Sequence, residues 1–236
     1  MIRTVVLAMF RQRLTSGMRL LLTVACFGFG MIGVLFSGSL EALNRSQMGG
    51  FGMIMAAGLI GQEVSSGVLT LAFARPIQRL QWVVGRWLGA SLLAMAIVLL
   101  QVLVAFGVAA ARHGVPSASA VTMAALEGTL AVFGSSAVLL LLSSVLPGLG
   151  DLGMLLIAGV ASTAIPTIAS HYQIGWLVRA GEELQRFLTA SVDLAPVFHH
   201  DAMPWFEITS YFSTLAICLV VAIWAVNRKE LSYASA

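Results

Sequence analysis

The chain contains a single lysine, Lys229, and it follows Asn227-Arg228. A P-loop needs Gly-Lys-Ser/Thr after a glycine-rich turn, so that the lysine reaches the phosphates. This polypeptide therefore cannot hydrolyse ATP by itself through a Walker motif, and any ATP must be handled by a partner. Charge of either sign is scarce. Charged residues make up 10% of the chain, against about 25% in ordinary domains. Hydrophobic residues make up 59% and the mean hydropathy is +0.95, which excludes a soluble globular domain. Only two cysteines occur, Cys26 and Cys218, both inside apolar runs. They read as buried thiols, with neither a disulfide scaffold nor a thiolate metal cage. Ten-residue segments of alternating polarity, the mark of a membrane β-barrel, are also lacking.

The hydrophobic surplus falls in blocks, which reads as a polytopic all-α membrane protein forming one transmembrane domain over residues 1–236. A span needs about 20 mostly apolar residues. Six candidates meet that demand: Leu20–Leu40, Ser46–Gln62, Trp87–Ala111, Val121–Leu146, Leu152–Ser170 and Ile208–Asn227. The second is short and rich in Gly and Met. Six spans put both termini on one side, and the basic residues say which. Arg3, Arg11, Arg13, Arg19, Arg75, Arg79, Arg86, Arg228 and Lys229 fall on one side; only Arg45, Arg112, Arg179 and Arg186 fall on the other. The positive-inside rule assigns the richer side to the cytoplasm, with both termini, as in an integral inner-membrane protein. The same rule accounts for the sequence pI of 9.3, and no nucleic-acid partner is expected.

Residues 1–16 form a different kind of helix. Ile2, Val5, Val6, Met9, Phe10 and Leu14 recur at helical spacing opposite Arg3, Thr4 and Arg11, as in a helix lying along the cytoplasmic interface. Arg13 falls near the apolar side and fits only by snorkelling. No small-residue cleavage site follows, so a cleaved signal peptide is not expected. The long outer segment, residues 171–206, carries Leu177, Leu184, Phe187 and Leu188 on one helical face and is expected to form short helices at the outer surface.

Several chemistries can be weighed against plainer readings. Glu182-Glu183-Leu184-Gln185-Arg186 lacks the three-residue spacer of an intramembrane CAAX-protease signature, and Glu182 with Arg186 reads as an i,i+4 pair. Gly134-Ser135-Ser136 with His171 would make a nucleophile and base, but small residues in a span ordinarily serve close helix packing. His199, His200 and Asp201 are weak metal candidates, because adjacent histidines on a loop point in different directions. Glu127 is either an ionisable group inside the fourth span, and then a functional candidate, or an interface residue of a span that begins later.

Between the second and third spans lies GQEVSSGVLTLAFARPIQR, residues 61–79. Ser65 or Ser66 can cap a short helix with an apolar face. Arg75-Pro76 ends it, since the residue before proline avoids helical geometry. The order Glu63, Gly67-Val-Leu69, Arg75-Pro-Ile-Gln-Arg79, Gly85-Arg86-Trp-Leu-Gly89 resembles the type-2 ABC transporter permease family. It is similar to the small stand-alone permeases of the nitrous-oxide-reductase maturation and gliding-machinery type. The exit Asn227-Arg-Lys-Glu-Leu-Ser-Tyr233 also resembles that family's.

The resemblance implies the transmembrane subunit of an ATP-driven exporter. It implies that residues 63–80 form a coupling helix seated on a separate ABC ATPase, through Glu63, Ser66, Gly67, Leu69, Arg75, Pro76, Arg79 and Arg86. It also implies a dimer with a second permease chain, identical or not, whose interface is lined by the first, second and fifth spans. The chain itself is then no enzyme and binds no cofactor, ATP and Mg are held by the partner ATPase, and membrane lipid surrounds it. Two other readings stay open: an intramembrane enzyme using Glu127 or the outer histidines, and a force-transmitting subunit without cargo. Residues 171–206 would bind an outer protein partner in the latter.

Overall fold

The computed structural model describes residues 2–62, 78–112, 114–146, 150–198 and 203–233. Among these residues all regular structure is helical. In chain order come α1 (Ile2–Leu14), α2 (Gly17–Ser37), a 3-10 turn (Leu40–Ala42), α3 (Arg45–Ala56), α4 (Arg79–Arg112) and α5 (Ala118–Val145). Then follow α6 (Gly150–His171), α7 (Gly175–Thr189), α8 (Ala195–Phe198) and α9 (Trp205–Tyr233). Five of them, α2, α4, α5, α6 and α9, are long and apolar enough to cross a membrane, and the chain is a multi-pass membrane protein.

Local chemistry sets the ends. The Asn44 side chain accepts the Ser46 N–H at the start of α3, and Ser117 accepts the Ala120 N–H at the start of α5. At the close of α2, Gly38 takes φ 71° and returns its N–H to Val34 O. The expected second span behaves differently. Its helix, α3, has 12 residues and is about 18 Å long at 1.5 Å per residue, short of the ~30 Å hydrocarbon layer. From Ala57 the chain leaves the helix, although Leu59 and Ile60 are wholly buried.

Helix α5 is the axis of the bundle, and its buried serines and glycines let neighbours approach closely. On α3, Gly49 and Gly52 lie against Val132 and Ser135 of α5, and Ser135 donates to Gly49 O at 2.7 Å. On α4, Ser91 and Trp87 both bond the Ser136 hydroxyl, at 2.7 and 3.1 Å. On α9, Tyr211 donates to Leu130 O at 2.8 Å. The interior is thus bolted by hydroxyls between closely approached backbones.

Helix α2 is attached differently. Only Gly30 and Val34 are buried, and Leu21, Val24, Phe29 and Phe36 are exposed. Two glutamines hold its middle. Gln47 of α3 donates to Cys26 O at 2.9 Å, and Gln101 of α4 donates to Phe27 O at 3.2 Å, both beside Gly30.

Helix α1 lies on α4, where Gly89 admits Met9, which is 1% exposed. Arg13 does not snorkel outward: it is 2% exposed and turns into the bundle. The segment expected to form short helices does so, as α7 and α8. Helix α7 folds back along α6, with Gly181 against Pro166; its Leu188 is buried, as are Ala190 and Val192 just after it. Ala190 reaches Gly134 of α5, about 24 Å along that helix from its first residue.

Candidate functional site

Two regions concentrate polar groups at opposite ends of α5. Of the residues that the sequence nominated, Glu63, Ser66, Gly67, Leu69, Arg75 and Pro76 lie outside the described residues, as do His199, His200 and Asp201. Arg79 opens α4. Arg86 lies two turns further on and faces α1: its guanidinium donates to Met9 Sδ at 3.1 Å and Gln12 Oε1 at 3.3 Å, 5.1 Å from the Trp82 ring.

The first region is the break that follows α3, directly before residue 63. Ala57 has extended ψ (128°), and Gly58 takes φ +63°, a conformation that only glycine adopts without strain. The break frees main-chain groups in a buried place, where each unsatisfied one would cost about 1–3 kcal/mol. Side chains from four helices satisfy them. Arg13 of α1 and Arg19 of α2 both donate to Ala57 O, at 2.6 and 3.0 Å. Asp151 of α6 accepts the Gly58 N–H at 2.6 Å. Ser143 of α5 accepts the N–H groups of Ile60 and Gly61, both at 3.0 Å. Arg13, Asp151 and Ser143 are all buried, and Arg19 also reaches Gln62 Oε1 at 3.4 Å.

The second region surrounds Glu127. This residue is buried in α5, nine residues after Ala118, beside the first residue of α3. Its carboxylate lies 3.6 Å from Arg45 Nε and accepts the Leu194 N–H at 2.9 Å. Arg45 bridges onward to Asp193 at 2.9 Å, and the Asp193 N–H donates to Glu207 at 3.1 Å. Partial burial pushes the Asp193 carboxyl up, but the Ala195 N–H and the Arg45 guanidinium outweigh it and hold it below its ordinary value. Two cavities of about 730 and 630 Å³ open on either side of Arg45. The cluster therefore ties α3, α5, the return from α7 and α9 together between two clefts.

Other nominated groups are occupied structurally. Ser135 and Ser136 spend their hydroxyls on interhelical bonds, and His171 stacks edge-on with Tyr172 at 5.4 Å. Arg186 pairs with Glu183 at 3.0 Å rather than with Glu182. Among the described residues no group of three or more His, Cys, Asp or Glu side chains could hold a metal. Sequence reasoning missed Arg19, Ser143 and Asp151 at the break and Asp193 beside Arg45. Asp151, an acid at the threshold of an apolar run, was the one visible signal. No protein-family model matches the chain, and no curated protein matches it either.

Proposed function

We propose that this chain is the transmembrane subunit of an ATP-binding-cassette exporter of the type-2 permease kind, driven by a separate ATPase. In this reading it crosses the inner membrane six times, with α3 and its continuation to Gln62 as the second span and both termini in the cytoplasm. Helix α1 then lies along the cytoplasmic interface. The observation that carries the reading is the residue order Glu63, Gly67, Leu69, Arg75-Pro76, Arg79, Gly85-Arg86 and Gly89, placed between two apolar segments. Its last step has a physical use, since Gly89 and Arg86 are where α1 docks. The bare apolar surfaces of α2 and α6 suit a second permease copy packed through the first and fifth spans.

Closure of two ATPase subunits on ATP would push residues 63–80 and rock the spans between inward- and outward-facing states. The test is affinity purification of the tagged chain from its native cells. The unaltered chain is expected to bring down an ABC ATPase, and deletion of residues 66–74 to abolish that recovery. An intact assembly after the deletion would refute the coupling role.

A further inference from the structure

The segment assigned to coupling joins the second span at the break after α3, so the way that break is held decides where a push on the segment goes. An ordinary helix end would hand the motion to its own helix alone. Here the break is pinned from four directions. Ala57 O is shared by Arg13 of α1 and Arg19 of α2, Gly58 N is held by Asp151 of α6, and the next two free N–H groups are held by Ser143 of α5. These groups have no water to turn to, because Ala57, Leu59, Ile60, Ser143 and Asp151 are all buried. A buried backbone group that loses its side-chain partner goes unsatisfied, so the contacts hold or fail together.

Three of the anchors also sit at the ends of their helices. Arg13 is the penultimate residue of α1, Arg19 the third of α2 and Asp151 the second of α6. A displacement of residues 57–61 thus pulls on helix ends, where a small shift tilts a whole span. Ser143 ties the same joint to α5, which runs to the Glu127 cluster at the other end.

We infer that residues 57–61, clasped by Arg13, Arg19, Ser143 and Asp151, are a rigid joint that distributes the coupling segment's movement to α1, α2, α5 and α6. Asp151 and Ser143 act in it as positioning residues. The inference rests on the exporter reading, and the experiment separates the two. The chain is purified with its co-purifying ATPase, in a Cys26→Ala, Cys218→Ala background, with a Met203→Cys reporter at the Glu127 end. Met203 is exposed. The readouts are ATPase recovery, ATP hydrolysis and the rate of maleimide labelling with and without ATP and vanadate.

With the joint intact, ATP and vanadate are expected to change the labelling rate. With Asp151→Asn or Ser143→Ala, the ATPase is expected to stay bound and hydrolyse ATP while the labelling rate stays at its ATP-free value. Ser143→Ala is the milder change and decides the matter if Asp151→Asn fails to assemble. A labelling response that survives in Ser143→Ala overturns the inference, as does an intact chain whose reporter ignores ATP. If no ATPase accompanies the unaltered chain, the exporter reading itself falls and takes the joint's role with it.

Discussion

Two glycines one helical turn apart on α3 face the same partner and should answer oppositely to a single methyl group. A Cβ built at Gly52 lies 2.6 Å from Val132 O and 3.1 Å from Val132 Cα. Ordinary contact begins at 3.4 Å, so α3 would have to retreat from α5 by about 0.8 Å. The obstacle is backbone inside a helix, which cannot rotate aside. Overpacking of this kind costs about 1–3 kcal/mol. The gain from replacing a mid-helix glycine by alanine is about 1 kcal/mol. Gly52→Ala should therefore lose up to about 2 kcal/mol net. A Cβ at Gly49 meets nothing closer than 3.5 Å, so Gly49→Ala keeps the helix gain without the clash. Thermal unfolding in one detergent, followed by tryptophan fluorescence, compares the two directly. About 1 kcal/mol moves the midpoint by roughly 2–4 °C at this chain length. Gly52→Ala melting above the parent, or Gly49→Ala melting lowest, would refute the packing of α3 on α5.

The Glu127 cluster supports two further expectations. Glu127→Ala leaves the Leu194 N–H without its acceptor and should cost about 1–3 kcal/mol. Glu127→Gln keeps an acceptor and loses only the longer pair with Arg45, so it should cost less; equal losses in the same melting assay would show that the Leu194 bond contributes nothing. The lowered Asp193 value fixes a sign with pH. Its contribution is fully present above the ordinary aspartate value and is lost as pH falls through the lowered value, where the carboxyl protonates and releases Arg45. Asp193→Asn should therefore melt below the parent at neutral pH and converge on it in acid, and a gap that widens in acid would reverse the assignment.

The five long helices were legible because each is a self-contained apolar block. Leu20–Leu40, for example, corresponds to α2 at Gly17–Ser37, and Val121–Leu146 to α5 at Ala118–Val145. The break after α3 was not legible. Met55-Ala-Ala-Gly-Leu-Ile60 reads as uninterrupted hydrophobic helix, and only Gly58 departs from it. What stabilises the break comes from Asp151 and Ser143, more than eighty residues away. Arg13 misled for the same reason: amphipathic spacing assigns it to an interface, whereas its partner is a carbonyl that a regular helix would have used. Glu127 could be flagged as a costly group, but its relief by Arg45 and Leu194 depends on tertiary pairing that no local pattern encodes. The apolar face of α7 was visible, while its return along α6 depends on Gly181 fitting against Pro166.

The sparse attachment of α2 bears on how the protein is made. A helix of 21 apolar-rich residues spans about 31 Å, the thickness of the hydrocarbon layer, and satisfies its own backbone. It can therefore reside in lipid before the rest of the chain exists. Its later capture needs no burial of a broad face, because lipid solvates Leu21 or Phe29 as well as protein does. The glutamines act as the recognition step: Gln47 arrives with α3 and Gln101 with α4, and each gives up solvation only when Cys26 O and Phe27 O come within reach. The sparse attachment thus allows an order of assembly in which α2 is inserted first and docks once α3 and α4 have brought Gln47 and Gln101 into place.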